Sequence, residues 1–269
     1  MKLEDLRIGC SGWSYKDWQG IFYPKDLAAR DYLKFYSGVF ASVEIDSSFY
    51  RVPSPSMVSQ WKASTPDGFS FSPKLPKKIT HENKLLNFEP SLVYFYSVMS
   101  KLGPKLGPVA VQLPPSVKVA THLDAMKAFL SKLRPEFRHA IEFRHDSWFT
   151  QEVYSLLRER NVAMVWSLNQ YLETPPVATA DFLYLRMVGD RELTRFDGIQ
   201  KDRSNDMKRW ATVLKGSAGK FESGYVFFNN HFAGFSPESS NEFRRLLGLM
   251  ELDWKVEGAG TSQQTLFGQ

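Results

Sequence analysis

Apolar residues along this chain fall into short β-branched or aromatic runs, separated by stretches whose apolar positions recur at helical spacing. That alternation predicts βα units around a parallel sheet. The runs at 6–10, 42–47, 68–74, 108–113, 139–144, 162–168, 182–188 and 224–229 are the predicted strands. Helices are predicted at 30–39, 56–63, 90–102, 123–133, 150–160 and 205–215, with a last one at 237–250. Pro90 and Pro237 suit first-turn positions. Ser236-Pro237-Glu238-Ser239 reads as a capped entry to an apolar face at Phe243, Leu246 and Leu247. The link at 169–181 is too short for a long helix, which makes it the weakest unit. Eight strands is the number of a (β/α)8 TIM barrel, a fold of about 250 residues. The expectation is therefore an α/β chain with one TIM-barrel domain over 1–254 and a flexible C-terminal tail at 255–269.

Strand phase adds chemistry to this outline. Side chains alternate along a strand, so assigning the apolar series to the helices turns the other series into the barrel. Val43 and Ile45 leave Glu44 and Asp46 inside, and Phe69 and Phe71 leave Ser70, Ser72 and Lys74. Val109, Val111 and Leu113 leave Gln112; Ile141 and Phe143 leave Glu142 and Arg144. Leu183, Leu185 and Met187 leave Tyr184 and Arg186, while Val226 and Phe228 leave Tyr225 and Asn229. Barrel interiors are normally filled by branched apolar side chains, and burying an unpaired charge costs several kcal/mol. The polar groups also fall late in their strands, where this fold builds active sites. The plain alternative is a self-neutralising network of Glu44 and Glu142 with Lys74, Arg144 and Arg186. An apolar filling would usually be as stable, so its retention points to use.

Composition narrows the setting. The chain is 43% hydrophobic and 23% charged, ordinary values for a soluble globular protein. No apolar run approaches the roughly 18 residues that would cross a bilayer, and the N-terminus carries no export signal, so a cytoplasmic protein without a membrane partner is expected. Cys10 is the only cysteine, which excludes an intrachain disulfide and a cysteine-based zinc site. A formal charge of +5 fits a polyanionic partner or simply a basic surface.

Several motifs in order carry a resemblance: Gly9-Cys10-Ser11-Gly12-Trp13, Trp18 through Phe22-Tyr23-Pro24, Val43-Glu44-Ile45 with Ser48-Phe49-Tyr50, Gln112-Leu113-Pro114-Pro115, Glu142-Phe143-Arg144 with Trp148, and Phe228-Asn229-Asn230. From about Arg7 to Leu247 the chain resembles the YecE-like family, also called domain of unknown function 72. The resemblance implies a TIM-barrel fold and no established reaction. One departure stands out. The family often has Arg-x-His-Gly after its seventh strand, where this chain has Arg186-Met187-Val188-Gly189.

Lys74, Arg144 and Arg186 suit a phosphate or carboxylate, and Gln112, Tyr184 and Asn229 would complete a substrate-binding set. Glu44 and Glu142 are the candidate acid–base pair. Glu142 beside Arg144 is the readier anion and Glu44 the proton donor. His81 and His145, in loops after strands three and five, are further catalytic candidates. Trp13, Trp18, Tyr50 and Trp148 form a candidate aromatic rim. The paired carboxylates and this rim also fit a glycosidase, although three cations argue against a neutral sugar. A divalent metal on Glu44, Asp46, Glu142, His81, His145 or His231 is disfavoured by the same cations, so no metal site is assigned and the cofactor is left open. Cys10 reads as a small buried thiol rather than a nucleophile.

In the tail, Gln263-Gln264-Thr265-Leu266-Phe267 resembles the peptide by which replication and repair proteins dock on sliding clamps, with Gln263, Leu266 and Phe267 as contacts. Three functions follow as expectations. The first is an enzyme processing nucleic acid or another phosphoester by hydrolysis. The second acts on a small anionic metabolite or phosphosugar, and the third is a non-catalytic binding barrel.

Overall fold

The computed structural model describes residues 1–169, 172–189 and 191–254. The proposed clamp contacts Gln263, Leu266 and Phe267, and all of the tail at 255–269, lie outside the described residues.

Strands β1 (Leu6–Ser11), β2 (Ser42–Ile45), β3 (Ser70–Pro73), β4 (Val109–Gln112), β5 (His139–Glu142), β6 (Ala163–Met164), β7 (Trp166–Asn169), β8 (Phe182–Gly189) and β9 (Ser223–Phe228) occupy the eight predicted positions. The sixth predicted strand is divided at Val165 into β6 and β7. Every strand pairing is parallel. One sheet has the order β3-β2-β1-β9-β8-β7 and the other β4-β5-β6. Isolated parallel bridges, Phe71 to Leu106 and Lys74 to Ala110, run from β3 toward β4.

The helices are α1 (Tyr32–Val39), α2 (Ser47–Tyr50), α3 (Pro55–Ala63), α4 (Glu89–Met99), α5 (Val119–Lys132), α6 (Gln151–Glu159), α7 (Ser204–Ser217), α8 (Asn230–Ala233) and α9 (Ser236–Leu247). Local chemistry sets several of their starts. The Ser54 hydroxyl accepts from Met57 N at 3.2 Å before α3, with Pro55 in the first turn. Thr150 does the same for Val153 N before α6, at 3.3 Å. The expected cap of the last helix differs. Phe235 is its N-cap, and Ser236 Oγ instead donates to Asn230 Oδ1 at 2.8 Å, tying α9 to α8. Phe243 and Leu247 are buried as the apolar face requires.

The helix-facing core is rich in aromatic rings. Tyr36 of α1 accepts from Cys10 N at 2.8 Å and donates to Ser42 O at 2.9 Å, pinning the helix across β1 and β2. Gly9 permits this approach, since a Cβ there would stand 2.2 Å from Ser42 O. Burial raises the Cys10 thiol to about 12, an unreactive value that agrees with its reading as a small buried residue.

His139 lies on the helix side of β5, buried, with Nε2 and Tyr96 OH 2.7 Å apart. Burial pushes its pKa down to about 4, against a smaller upward pull from the Phe137 backbone. The folded chain therefore holds this ring neutral while an unfolded chain protonates it below about 6.5. Its stabilisation is complete above that pH and is lost as pH falls toward 4, by about 3 kcal/mol. Denaturant unfolding at pH 7 and pH 4 should show a loss that shrinks by about that amount in His139→Gln. An identical pH dependence in the two proteins would remove His139 as a source of acid sensitivity.

Candidate active site

The strand alternation builds a polar layer across both sheets. Register places Ser11 beside Glu44 and Glu44 beside Ser72, Gln112 beside Glu142, and Ser167 beside Arg186. Beneath them Ala110, Ala140, Ala163 and Val165 pack against Phe182, Tyr184, Tyr225 and Phe227. Small residues on one side make room for large rings on the other, giving the layer an apolar floor.

Arg186 is the centre of the layer. Its Nη2 donates to Glu44 Oε1 at 2.7 Å, and its Nη1 donates to Glu142 Oε2 and, at 3.2 Å, to Gln112 Oε1. Glu44 also accepts from Ser11 Oγ and Tyr184 OH, both at 2.8 Å. Glu142 Oε1 accepts from Arg144 Nε at 2.8 Å, and Gln112 Oε1 accepts from Arg144 Nη2 at 3.1 Å. One guanidinium thereby joins carboxylates from the two sheets. Burial works against the Arg186 charge, but Glu44, Glu142 and Asp46 outweigh it and hold the group protonated. Burial likewise opposes the Glu142 charge, yet Arg144, Arg186 and Lys74 bring its pKa down to about 2. Burial and then Glu44 raise Tyr184, keeping the phenol a donor.

Nearer the strand ends, Asp46 Oδ1 lies 3.6 Å from both Lys74 Nζ and Arg186 Nη2, and Asn229 Nδ2 donates to Asp46 Oδ2 at 3.4 Å. The Lys74 ammonium sits 4.5 Å from the centre of the Phe49 ring. Its side chain is 9% exposed, that of Arg144 15% and that of Asp46 28%. The edge of the Phe49 ring meets His81, whose Nδ1 is 2.8 Å from Thr80 Oγ1. Burial, then Lys74 and Arg144, push His81 down to about 4, so it is neutral near pH 7. The loop beyond it holds Lys84, Leu85 and Asn87 at positive φ, a backbone conformation that disfavours such side chains.

The structure brings Glu44, Lys74, Gln112, Glu142, Arg144, Tyr184, Arg186 and Asn229 together. Glu44 has no exposed side-chain surface and Glu142 has 2%. Their oxygens accept from neighbouring donors, so that in this structure they hold Arg186 and Arg144. His145 serves locally, its Nδ1 accepting from Ser147 N at 3.2 Å. The aromatic rim needs correction. Trp18 is fully buried among Tyr15, Phe22 and Tyr23, and Trp148 is fully buried against Phe143, with Nε1 donating to Val117 O at 2.8 Å. Trp13 is half-buried on Trp61 and Phe71, and Tyr50 alone of the four is largely exposed. Among the described residues no group of three or more His, Cys, Asp or Glu is arranged to hold a metal ion.

Ser11, Phe49 and Ser167 are not among the site residues expected from the sequence, although Ser11 and Phe49 lie in motifs that carry the resemblance. Ser167 and Asn169 follow from the alternation that puts Trp166 and Leu168 on the helix side. Ser11 needed β1 to extend one residue further. Phe49 has no periodicity signal, because its place over Lys74 depends on the short turn of α2; its motif with Ser48 and Tyr50 is the one sign of it in the sequence.

Among the described residues, no helix is long and apolar enough to cross a membrane. The chain is 31% identical to UPF0759 protein YecE of Escherichia coli over 146 residues, which cover 54% of this chain and about half, 51%, of that relative's length. It is 23% identical to UPF0759 protein YunF of Bacillus subtilis over 290 aligned positions, covering 97% of this chain and all of the relative. A DUF72 family protein from Thermotoga maritima superposes with a TM-score of 0.76 at 27% identity, over 90% of this chain and 99% of the other. One from Enterococcus faecalis gives 0.72 at 19%, over 93% and 98%. Residues 7–263 match the family described as protein of unknown function DUF72, so the chain belongs to the DUF72 family.

Proposed function

We propose that the two sheets close into one (β/α)8 barrel and that its mouth is the active site of an enzyme for a small phosphate- or carboxylate-bearing substrate. Closure is supported by the bridge from Lys74 to Ala110 and by the course of the chain through Val165. That course pairs β5 on one side through β6 and β8 on the other through β7. The observation that carries the substrate class is a pair of cations with donor positions to spare. Among the described residues Lys74 Nζ makes no hydrogen bond, and Arg144 uses Nε and Nη2 but leaves Nη1 without an acceptor. Both lie at the carboxyl ends of their strands, beside the neutral imidazole of His81, a candidate proton acceptor.

Phosphoester hydrolysis on nucleic acid is the wider reading. It loses support from Trp18 and Trp148, whose burial leaves few rings for bases to stack on. Calorimetric titration with inorganic phosphate, pyruvate and a single-stranded oligonucleotide tests these alternatives. Phosphate or pyruvate should bind, and Arg144→Ala should weaken binding about 10- to 100-fold, as expected for losing one charge-assisted contact. Absence of binding by both small anions at millimolar concentration would sink the small-anion reading. Salt-dependent oligonucleotide binding that also requires Arg144 would favour the nucleic-acid reading.

A further inference from the structure

Lys74 differs from the other cations of the cluster. Arg186 and Arg144 have carboxylates within hydrogen-bond range, whereas Lys74 Nζ has three donor positions and, among the described residues, no hydrogen-bond acceptor. Its nearest anion, Asp46 Oδ1, is at 3.6 Å, beyond a hydrogen bond, and is shared with Arg186. The side chain is 9% exposed and its backbone is fixed: Lys74 N donates to Ser48 Oγ at 3.0 Å, Ser48 Oγ donates to Lys74 O at 2.7 Å, and the ammonium lies over Phe49. Among the described residues this buried ammonium has a ring face and a carboxylate beyond hydrogen-bond range as its nearest partners, which makes a poor structural ion pair. It is, however, well placed for a reaction at nitrogen.

We propose that Lys74 is a nucleophile that forms an imine with a carbonyl compound carrying a phosphate or carboxylate group. The assignment rests on the anion-binding reading for the second half of that substrate, which Arg144 would hold. In the step, the lone pair of the neutral amine attacks the carbonyl carbon, the C–N bond forms, and the carbonyl oxygen takes up a proton to give a carbinolamine. The C–O bond then breaks and water leaves, so that an ammonium and a ketone become a protonated imine and one water. No oxidant or reductant is consumed. Asp46 Oδ1 is the carboxylate placed to relay the protons. Burial and the Arg186 charge lower the Lys74 pKa despite Asp46, which increases the share of neutral amine. The imine nitrogen would then draw electrons from a neighbouring bond, the chemistry needed for proton or carbon–carbon bond removal beside a carbonyl.

The test uses the full chain with dihydroxyacetone phosphate, pyruvate or acetone in the presence of sodium cyanoborohydride, followed by intact mass and peptide mapping. Dihydroxyacetone phosphate or pyruvate should give one adduct per chain, at Lys74, at least 10-fold above any other lysine. Lys74→Arg should give no such adduct, and wild-type mapping reads the site even if that variant folds poorly. Adducts spread over surface lysines, or unchanged in Lys74→Arg, would overturn the proposal. Binding of inorganic phosphate without any Lys74 adduct from the three carbonyl probes would refute the imine and leave the anion site standing. Acetone labelling Lys74 as readily as the charged probes would support the imine while removing the anion reading.

Discussion

Arg186→Ala is expected to cost about 3 to 5 kcal/mol of folding stability, the range for breaking a buried ion pair and leaving its partner charge uncompensated. Glu44 and Glu142 are both sealed from solvent and both accept from this one guanidinium. Removing it leaves Glu44 with two neutral donors, Ser11 and Tyr184, and Glu142 with Arg144. For a chain of this length that loss corresponds to a fall in Tm of about 10 °C, measurable by calorimetry. The triple change Glu44→Leu, Glu142→Leu and Arg186→Met separates charge from packing. It should recover most of the loss, because an apolar filling of similar volume avoids desolvating three charges. A loss below about 1 kcal/mol in Arg186→Ala would mean that water reaches the carboxylates and that the layer is not closed.

Trp18→Ala should destabilise the fold by about 3 to 5 kcal/mol, while Tyr50→Ala should change it by less than about 0.5 kcal/mol. Both residues belonged to the same expected rim. Trp18 is fully buried, with ring centres of Tyr15 and Phe22 at 4.8 and 5.3 Å, whereas Tyr50 is 71% exposed. The alanine would leave a cavity under α1 that rigid neighbours cannot fill. Trp18→Phe should cost far less, since it keeps most of the packing and deletes an indole N–H that has no partner among the described residues. Denaturant titration of the three variants reads the contrast. Equal stability of Trp18→Ala and Tyr50→Ala would return Trp18 to the surface.

The polar layer was legible because strand periodicity is a local property. Val43 and Ile45 cannot face a helix without turning Glu44 to the other side, and the same holds for Ile141 with Glu142 and Leu185 with Arg186. The aromatic segment between Trp13 and Tyr23 was not legible in this way. Its residues lie in irregular backbone and a single 3-10 turn, Lys16–Trp18, where no period tells inside from outside. The division of the sixth strand at Val165 was hidden for a related reason. Whether a residue pairs with β5 or β8 depends on neighbours far away in sequence, not on its own side chain.

The same contrast separates the roles of the charged residues. That Glu44, Lys74, Glu142, Arg144 and Arg186 share one interior follows from alternation and strand count, quantities carried by the sequence itself. Which of them spend their charge on each other was decided only by tertiary structure, since β2, β3, β4, β5 and β8 had to meet before hydrogen bonds could be assigned. Electrostatic pairing is set by distances of a few ångströms between groups far apart along the chain, and periodicity gives a side, not a distance. The sequence therefore determined the membership of the cluster, and the fold left Lys74, among the described residues, as the cation without a hydrogen-bonded carboxylate.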